Sequence, residues 1–201
     1  MSLDKFEISK TSGAHYQLSL LEGEWEGTTK TWFEPDQLGD ESPMQGRIKS
    51  LLDGRFMLHE YNGSLGGKPF EGMAIIGFSI TSDKFQCAWI DSFHMSTGIM
   101  FSEGRNPDKF FSVLGNYGGP EIPEPWGWRT EIDLPTKDTM IITAYNITPA
   151  GEEAKATETI YTRKKRNNPI KFLKCVCLNK IVRPRLFGAF SKQNTGDLIF
   201  Q

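Results

Sequence analysis

Leu21-Glu22-Gly23-Glu24-Trp25-Glu26-Gly27 is the stretch whose reading decides the fold. Before it, from Ser12 onward, Tyr16, Leu18, Leu20 and Leu21 fall close to helical spacing, with Ser12 placed to cap the segment and Gly23 placed to end it. After it the period drops to two: Trp25, Gly27, Thr29, Thr31 and Phe33 share one face, and Glu24, Glu26, Thr28 and Lys30 the other. Strand side chains alternate, whereas helical ones recur every three or four residues. One short helix therefore hands over to a half-buried strand within a few residues.

Nine more strand-like runs follow. Arg47–Leu52 ends at Asp53-Gly54, Arg55–Tyr61 ends at Asn62-Gly63, and Phe70–Ile80 follows Gly66-Gly67-Lys68-Pro69. Then come Lys84–Asp91, Thr97–Glu103, Phe110–Tyr117, Gly127–Asp133, Thr139–Thr148 and Ala154–Arg163. Asp-Gly and Asn-Gly suit the type I′ turn, which needs positive φ at both central residues. About ten short strands without crossover helices predict an all-β fold with sequential antiparallel pairing. Closing that sheet into an up-and-down barrel removes its exposed edges. A β-sandwich is the alternative, and no internal repeat points to a propeller.

Composition agrees with a globular all-β protein: 38% of the 201 residues are hydrophobic, 12% aromatic, and 20 glycines and 11 prolines are spread at short intervals. No apolar run approaches the roughly 20 residues that cross a bilayer, and Met1 to Lys10 carries Asp4, Lys5, Glu7 and Lys10 where a signal peptide would be apolar. A cytoplasmic location without a membrane span is expected. Cys87, Cys175 and Cys177 make an odd count without disulfide spacing, as a reducing compartment allows.

The formal net charge of −2 conceals a break. Residues 166–201 carry seven Lys/Arg against Asp197, a net of +6, and residues 1–165 carry 16 basic and 24 acidic groups, a net of −8. The organisation read from this is an N-terminal arm at 1–11, a barrel domain at 12–165 and a basic C-terminal extension at 166–201. The extension is read as disordered or non-native sequence, with a docking arm as the other reading. Its Phe172, Leu173, Leu186, Phe187 and Phe190 alternate with basic groups, yet frequent Asn, Pro and Gly oppose an amphipathic helix. Nucleic acid is not expected as a partner, and Cys175-Val176-Cys177 lacks the second ligand pair that zinc requires.

The Gly23-x-Trp25 element after a short helix resembles the calycin superfamily of lipocalins, fatty-acid-binding proteins and nitrobindin-like barrels, in which the tryptophan plugs one end of the barrel. A closer likeness runs through Gly54-Arg55-Phe56, Gly67-x-Pro69-Phe70-x-Gly72, Gly77-Phe78, Trp89-Ile90-Asp91-Ser92, Ser96-Thr97-Gly98 and Tyr161-Thr162-Arg163-Lys164. In that order these segments resemble the bacterial domain of unknown function 1579 family, a lipocalin-like group, over roughly residues 12–165. The resemblance implies a barrel and supplies no reaction.

Candidate binding residues come from alternation. Phe85, Cys87 and Trp89 form the apolar face of one strand and place Asp91 at its end; Ile99 and Phe101 do the same for Glu103. Glu60 shares a face with Phe56 and Leu58, opposite Met57, His59 and Tyr61, and either face suits the interior. If Glu60 and Asp91 shared a cavity, burial and repulsion would raise one pKa and create an acid or base; the plainer reading puts each at a wet rim or against a cation. Tyr161 and Arg163, two residues apart, look like the Arg-x-Tyr carboxylate clamp of fatty-acid-binding proteins with its order reversed.

His15, His59 and His94 are too far apart for a metal motif and read as surface or rim residues. No cofactor is expected, since the resemblance to nitrobindin-like barrels would place a haem-binding histidine near the C-terminal strands and none follows His94. Tyr117-Gly118-Gly119-Pro120 through Pro125-Trp126 reads as a loop over the barrel mouth. The leading expectation is a barrel that binds a small, partly apolar molecule without transforming it. The alternatives are an enzyme using interior carboxylates and a scaffold with a filled barrel. Oligomeric state is open.

Overall fold

The computed structural model describes residues 3–94, 97–119 and 122–165, so the expected basic extension at 166–201, with Cys175 and Cys177, lies outside the described residues. Two helices, α1 (Leu3–Ser12) and α2 (Ala14–Ser19), precede ten strands. These are β1 (Gly23–Glu34), β2 (Gln37–Leu51), β3 (Phe56–Leu65), β4 (Lys68–Ser79) and β5 (Lys84–Asp91) in the first half. The second half supplies β6 (Met100–Gly104), β7 (Phe111–Gly119), β8 (Ile122–Thr136), β9 (Thr139–Ile147) and β10 (Glu153–Arg163). Each strand pairs antiparallel with its sequence neighbours, and β1 pairs with β10, which closes the barrel. The expected all-β, ten-strand, up-and-down closed barrel is the fold observed.

Closure leaves two unequal ends. The helices lie at the end where β1 begins and β10 stops, with Leu18 and Leu21 fully buried against Trp25. Burying an aromatic ring of that size contributes roughly 5 kcal/mol of transfer free energy. Helical structure begins earlier than the sequence suggested, since α1 occupies the stretch read as an arm. Ser12 ends α1 instead of capping α2, whose N-cap is Gly13 without a side-chain hydrogen bond.

Three turns depart from expectation. Asn62-Gly63 lies inside β3, where Gly63 pairs with Met44 and Phe70, and the chain reverses at Gly66-Gly67, whose φ values of +57° and +76° suit glycine. Asp53-Gly54 belongs to a four-residue connection that begins at Leu52, between the paired Leu51 and Phe56. The expected mouth loop at Tyr117–Trp126 is largely strand, because β7 and β8 stay paired out to Gly119 and Ile122. The second strand also starts at Gln37, well before Arg47; Pro43 is accommodated on its exposed side.

Inside the barrel, small residues interrupt the rows of opposed positions. Trp25, Gly46, Tyr61, Gly72 and Asp91 form one such row across β1 to β5, and Ile48, His59, Ala74, Trp89 and Met100 the next. Facing side chains on one sheet surface are about 5 Å apart, so a small residue opposite a ring leaves the ring room to lie across it. A Cβ at Gly72 would lie 2.3 Å from the Tyr61 hydroxyl oxygen.

Candidate functional site

The interior between the Trp25 plug and the far end of the barrel holds a cavity of about 120 Å³, with Thr29, His59, Tyr61, Cys87, Trp89 and Tyr161 among its walls. Alternation turns these groups inward from β1, β3, β5 and β10, with His59 and Tyr61 two residues apart on β3 and Cys87 and Trp89 two apart on β5. Thr29 and Thr159 satisfy one another, their hydroxyls 2.7 Å apart across the β1–β10 seam. His59 does not. Its imidazole is buried between Tyr61 and Tyr161, with ring centroids at 5.1 and 6.0 Å, and Nε2 has no hydrogen-bond partner. Gly46 leaves the adjoining wall bare: a Cβ there would stand 3.0 Å from His59 Nε2 and 2.9 Å from the Tyr161 hydroxyl oxygen.

Burial governs the electrostatics. Desolvation lowers the His59 pKa to about 4, so the ring is neutral at neutral pH. Desolvation likewise pushes the Cys87 thiol up to about 12, and burial raises the Tyr61 and Tyr161 phenols above their ordinary value. Neither lysine nor arginine is found among the described residues that line the cavity.

Aromatic rings crowd the mouth. Trp89 stacks on Trp128 with centroids 5.6 Å apart and planes 14° from parallel, and its Nε1 donates to the Tyr61 hydroxyl at 2.6 Å. His94 packs against Trp89, Trp128, Phe70 and Phe93. Asp91, with a fully buried carboxylate, accepts hydrogen bonds at Oδ1 from the backbone N–H groups of Phe93 and His94 and engages His94 Nδ1 through Oδ2. Its visible role is to shape the turn that carries His94 over the mouth.

Of the residues singled out by sequence, Trp89, Asp91 and Tyr161 meet at this cavity. The other three do not. Glu60 points outward and is bound to Lys49 Nζ at 2.9 Å, which lowers its pKa chiefly through that hydrogen bond. Glu103 also points outward, against Lys84 at 2.5 Å, because the inner face of β6 is Met100 and Ser102, the reverse of the expected Ile99 and Phe101. Glu60 and Asp91 are thus on opposite sides of the wall, and the acid–base pair considered for an enzyme is not assembled.

Arg163 serves the closed end. Its guanidinium lies 4.0 Å from the Trp25 ring centroid, and it donates to the carbonyl oxygens of Leu20, Glu22 and Lys137. A carboxylate clamp with Tyr161 would need those donors free, so that expectation is withdrawn. The histidine expectation is corrected as well: His15 is buried between Phe6 and Phe78 with Nδ1 on Ser9 Oγ at 2.8 Å, and His59 is interior.

His59 is the residue that sequence reasoning missed. Its alternation with Met57 and Tyr61 was visible, but the opposite face of β3 carries Phe56 and Leu58 and looked equally suited to the interior. That outer face is apolar because Leu58, Ile75, Ala88 and Phe101 stand in one outward row across four strands.

A family model described as "Protein of unknown function (DUF1579)" matches residues 10–163, and the chain belongs to that family. No curated protein matches. Among solved structures, the S-type phycobiliprotein lyase CPES from Guillardia theta is similar at 11% identity over 79% of this chain and 97% of its own, with a TM-score of 0.48. A de novo designed fluorescence-activating β-barrel is similar at 10% identity over 73% of this chain and 96% of its own, with a TM-score of 0.40.

Proposed function

We propose that this member of the DUF1579 family binds a small, partly apolar molecule in the barrel interior without transforming it. The observation that carries the reading is the unpartnered Nε2 of buried His59 beside unfilled volume. Leaving a buried polar atom unsatisfied costs about 1–3 kcal/mol, a cost that a bound molecule offering the missing partner would remove. Mixed walls support the same reading, since apolar surface with a few placed polar groups is the usual lining of a small-molecule site. The volume argues against haem, even though His59 supplies an imidazole.

Native mass spectrometry of protein purified from its own host tests the reading. An adduct that leaves on denaturation is expected, and it should be lost from Ala74→Leu, which fills space between His59 and Trp89. A host-purified protein with no adduct, whose melting temperature also stays unmoved by a screen of small neutral compounds, would overturn it.

A further inference from the structure

The cavity's size, the lack of lysine and arginine in its described lining and the unsatisfied nitrogen of His59 define a ligand class. Resting on the binding reading above, we propose that the interior selects a compact, uncharged ring compound bearing one hydroxyl group, of the size of phenol, with its hydroxyl on His59 Nε2. Size comes first. A dry protein cavity of about 150 Å³ accepts benzene, so about 120 Å³ is on the scale of a single six-membered ring and leaves no room for an alkyl chain of fatty-acid length.

Charge comes second. An anion brought inside would need a cation, and the described lining has neither lysine nor arginine, while Arg163 is committed to backbone carbonyls at the closed end. Burial holds His59 neutral, so it offers no positive charge either. A cationic ligand fares no better, because the Asp91 carboxylate is already engaged by His94 and two backbone N–H groups. An unpaired buried charge is the costliest group to desolvate, which leaves neutral molecules.

The polar group comes third. A neutral imidazole nitrogen is a donor or an acceptor according to tautomer, and a hydroxyl can meet either, whereas a carbonyl meets only the donor. The Tyr161 hydroxyl flanks the same bare wall at Gly46 and forms the other side of the hydroxyl-binding corner. Phe111 and Met100 supply apolar surface for the ring.

The full-length protein is titrated at pH 7 with benzene, phenol and benzoate, following the Trp89 indole resonance and the side-chain nitrogens of His59 by NMR. Phenol is expected to bind about tenfold more tightly than benzene, to move the His59 nitrogen resonances where benzene does not, and to leave benzoate without detectable binding. In His59→Phe the preference for phenol should vanish while benzene still binds. Benzene binding with phenol no tighter, or benzoate binding comparable to phenol, would overturn the inference and leave the binding reading intact. Failure of all three probes would also overturn it, and the binding reading would then stand or fall on the adduct in host-purified protein.

Discussion

Arg163 lies with its guanidinium 4.0 Å from the centroid of the Trp25 ring, and Trp25 Nε1 donates to the Leu21 carbonyl at 3.0 Å. The last strand is thereby fastened over the first residue pair of the barrel and over the end of the helical segment. Cation–π attraction is strongest when the cation is partly desolvated, and three backbone carbonyls depend on the same side chain.

Replacing that side chain should loosen the closed end selectively. Arg163→Gln is expected to lower stability by about 2 kcal/mol, from the lost ring contact and the unpaired carbonyls. Urea unfolding monitored by tryptophan fluorescence checks this. Glu60→Gln serves as the control, because an exposed ion pair with Lys49 contributes at most about 1 kcal/mol.

Gly27 faces Tyr161 across the closing seam, and a Cβ there would stand 1.9 Å from the Ile160 carbonyl oxygen. Backbone cannot yield as a side-chain tip can. Gly27→Ala should therefore cost about 3 kcal/mol through forced separation of β1 from β10. Hydrogen exchange provides the check: amides along the seam should lose protection first, and uniform loss across all strands would contradict this account.

Acid sensitivity should trace to His59. Its pKa is lowered by burial from 6.5 to about 4 in the folded protein, so the unfolded chain takes up this proton first as pH falls. The stability contribution is complete above pH 6.5 and is lost progressively down to about pH 4, by about 3 kcal/mol at most. His15 is shifted in the same direction, first by burial and then by Arg55, and adds to the slope. His59→Leu should show a shallower fall in melting temperature between pH 7 and pH 4; an unchanged slope would refute the assignment.

Asp91 should act on the mouth more than on global stability. Asp91→Asn keeps a carbonyl for the amides of Phe93 and His94 but removes the charge that engages His94 Nδ1. Faster amide exchange at residues 93 and 94, with a change in global stability of about 2 kcal/mol or less, is the expected pattern. Relaxation-dispersion NMR on the Trp128 indole would report the accompanying freedom of the mouth.

How far the site could be read in advance depended on each strand. On β5, Phe85, Cys87 and Trp89 outweigh their alternates, and the inner face could be read directly. On β3 and β6 both faces carry apolar residues, so period two identified strands without orienting them. Glu103 and His59 were misplaced for that one reason: the outer wall carries an apolar row that a single strand cannot distinguish from a core.

Local periodicity and the absence of crossover helices pointed to about ten antiparallel strands, because each is a property of neighbouring residues, and the resemblance carried by Gly23-x-Trp25 added the closed barrel with its tryptophan plug in place of a sandwich. Which carboxylates face inward, what Arg163 binds, and that His59 is buried with an unsatisfied nitrogen were decided only in the closed barrel. Those facts depend on the register of four or five strands at once, where a glycine on one strand makes room for a ring on the next. Alternation along a single strand carries no information about that row.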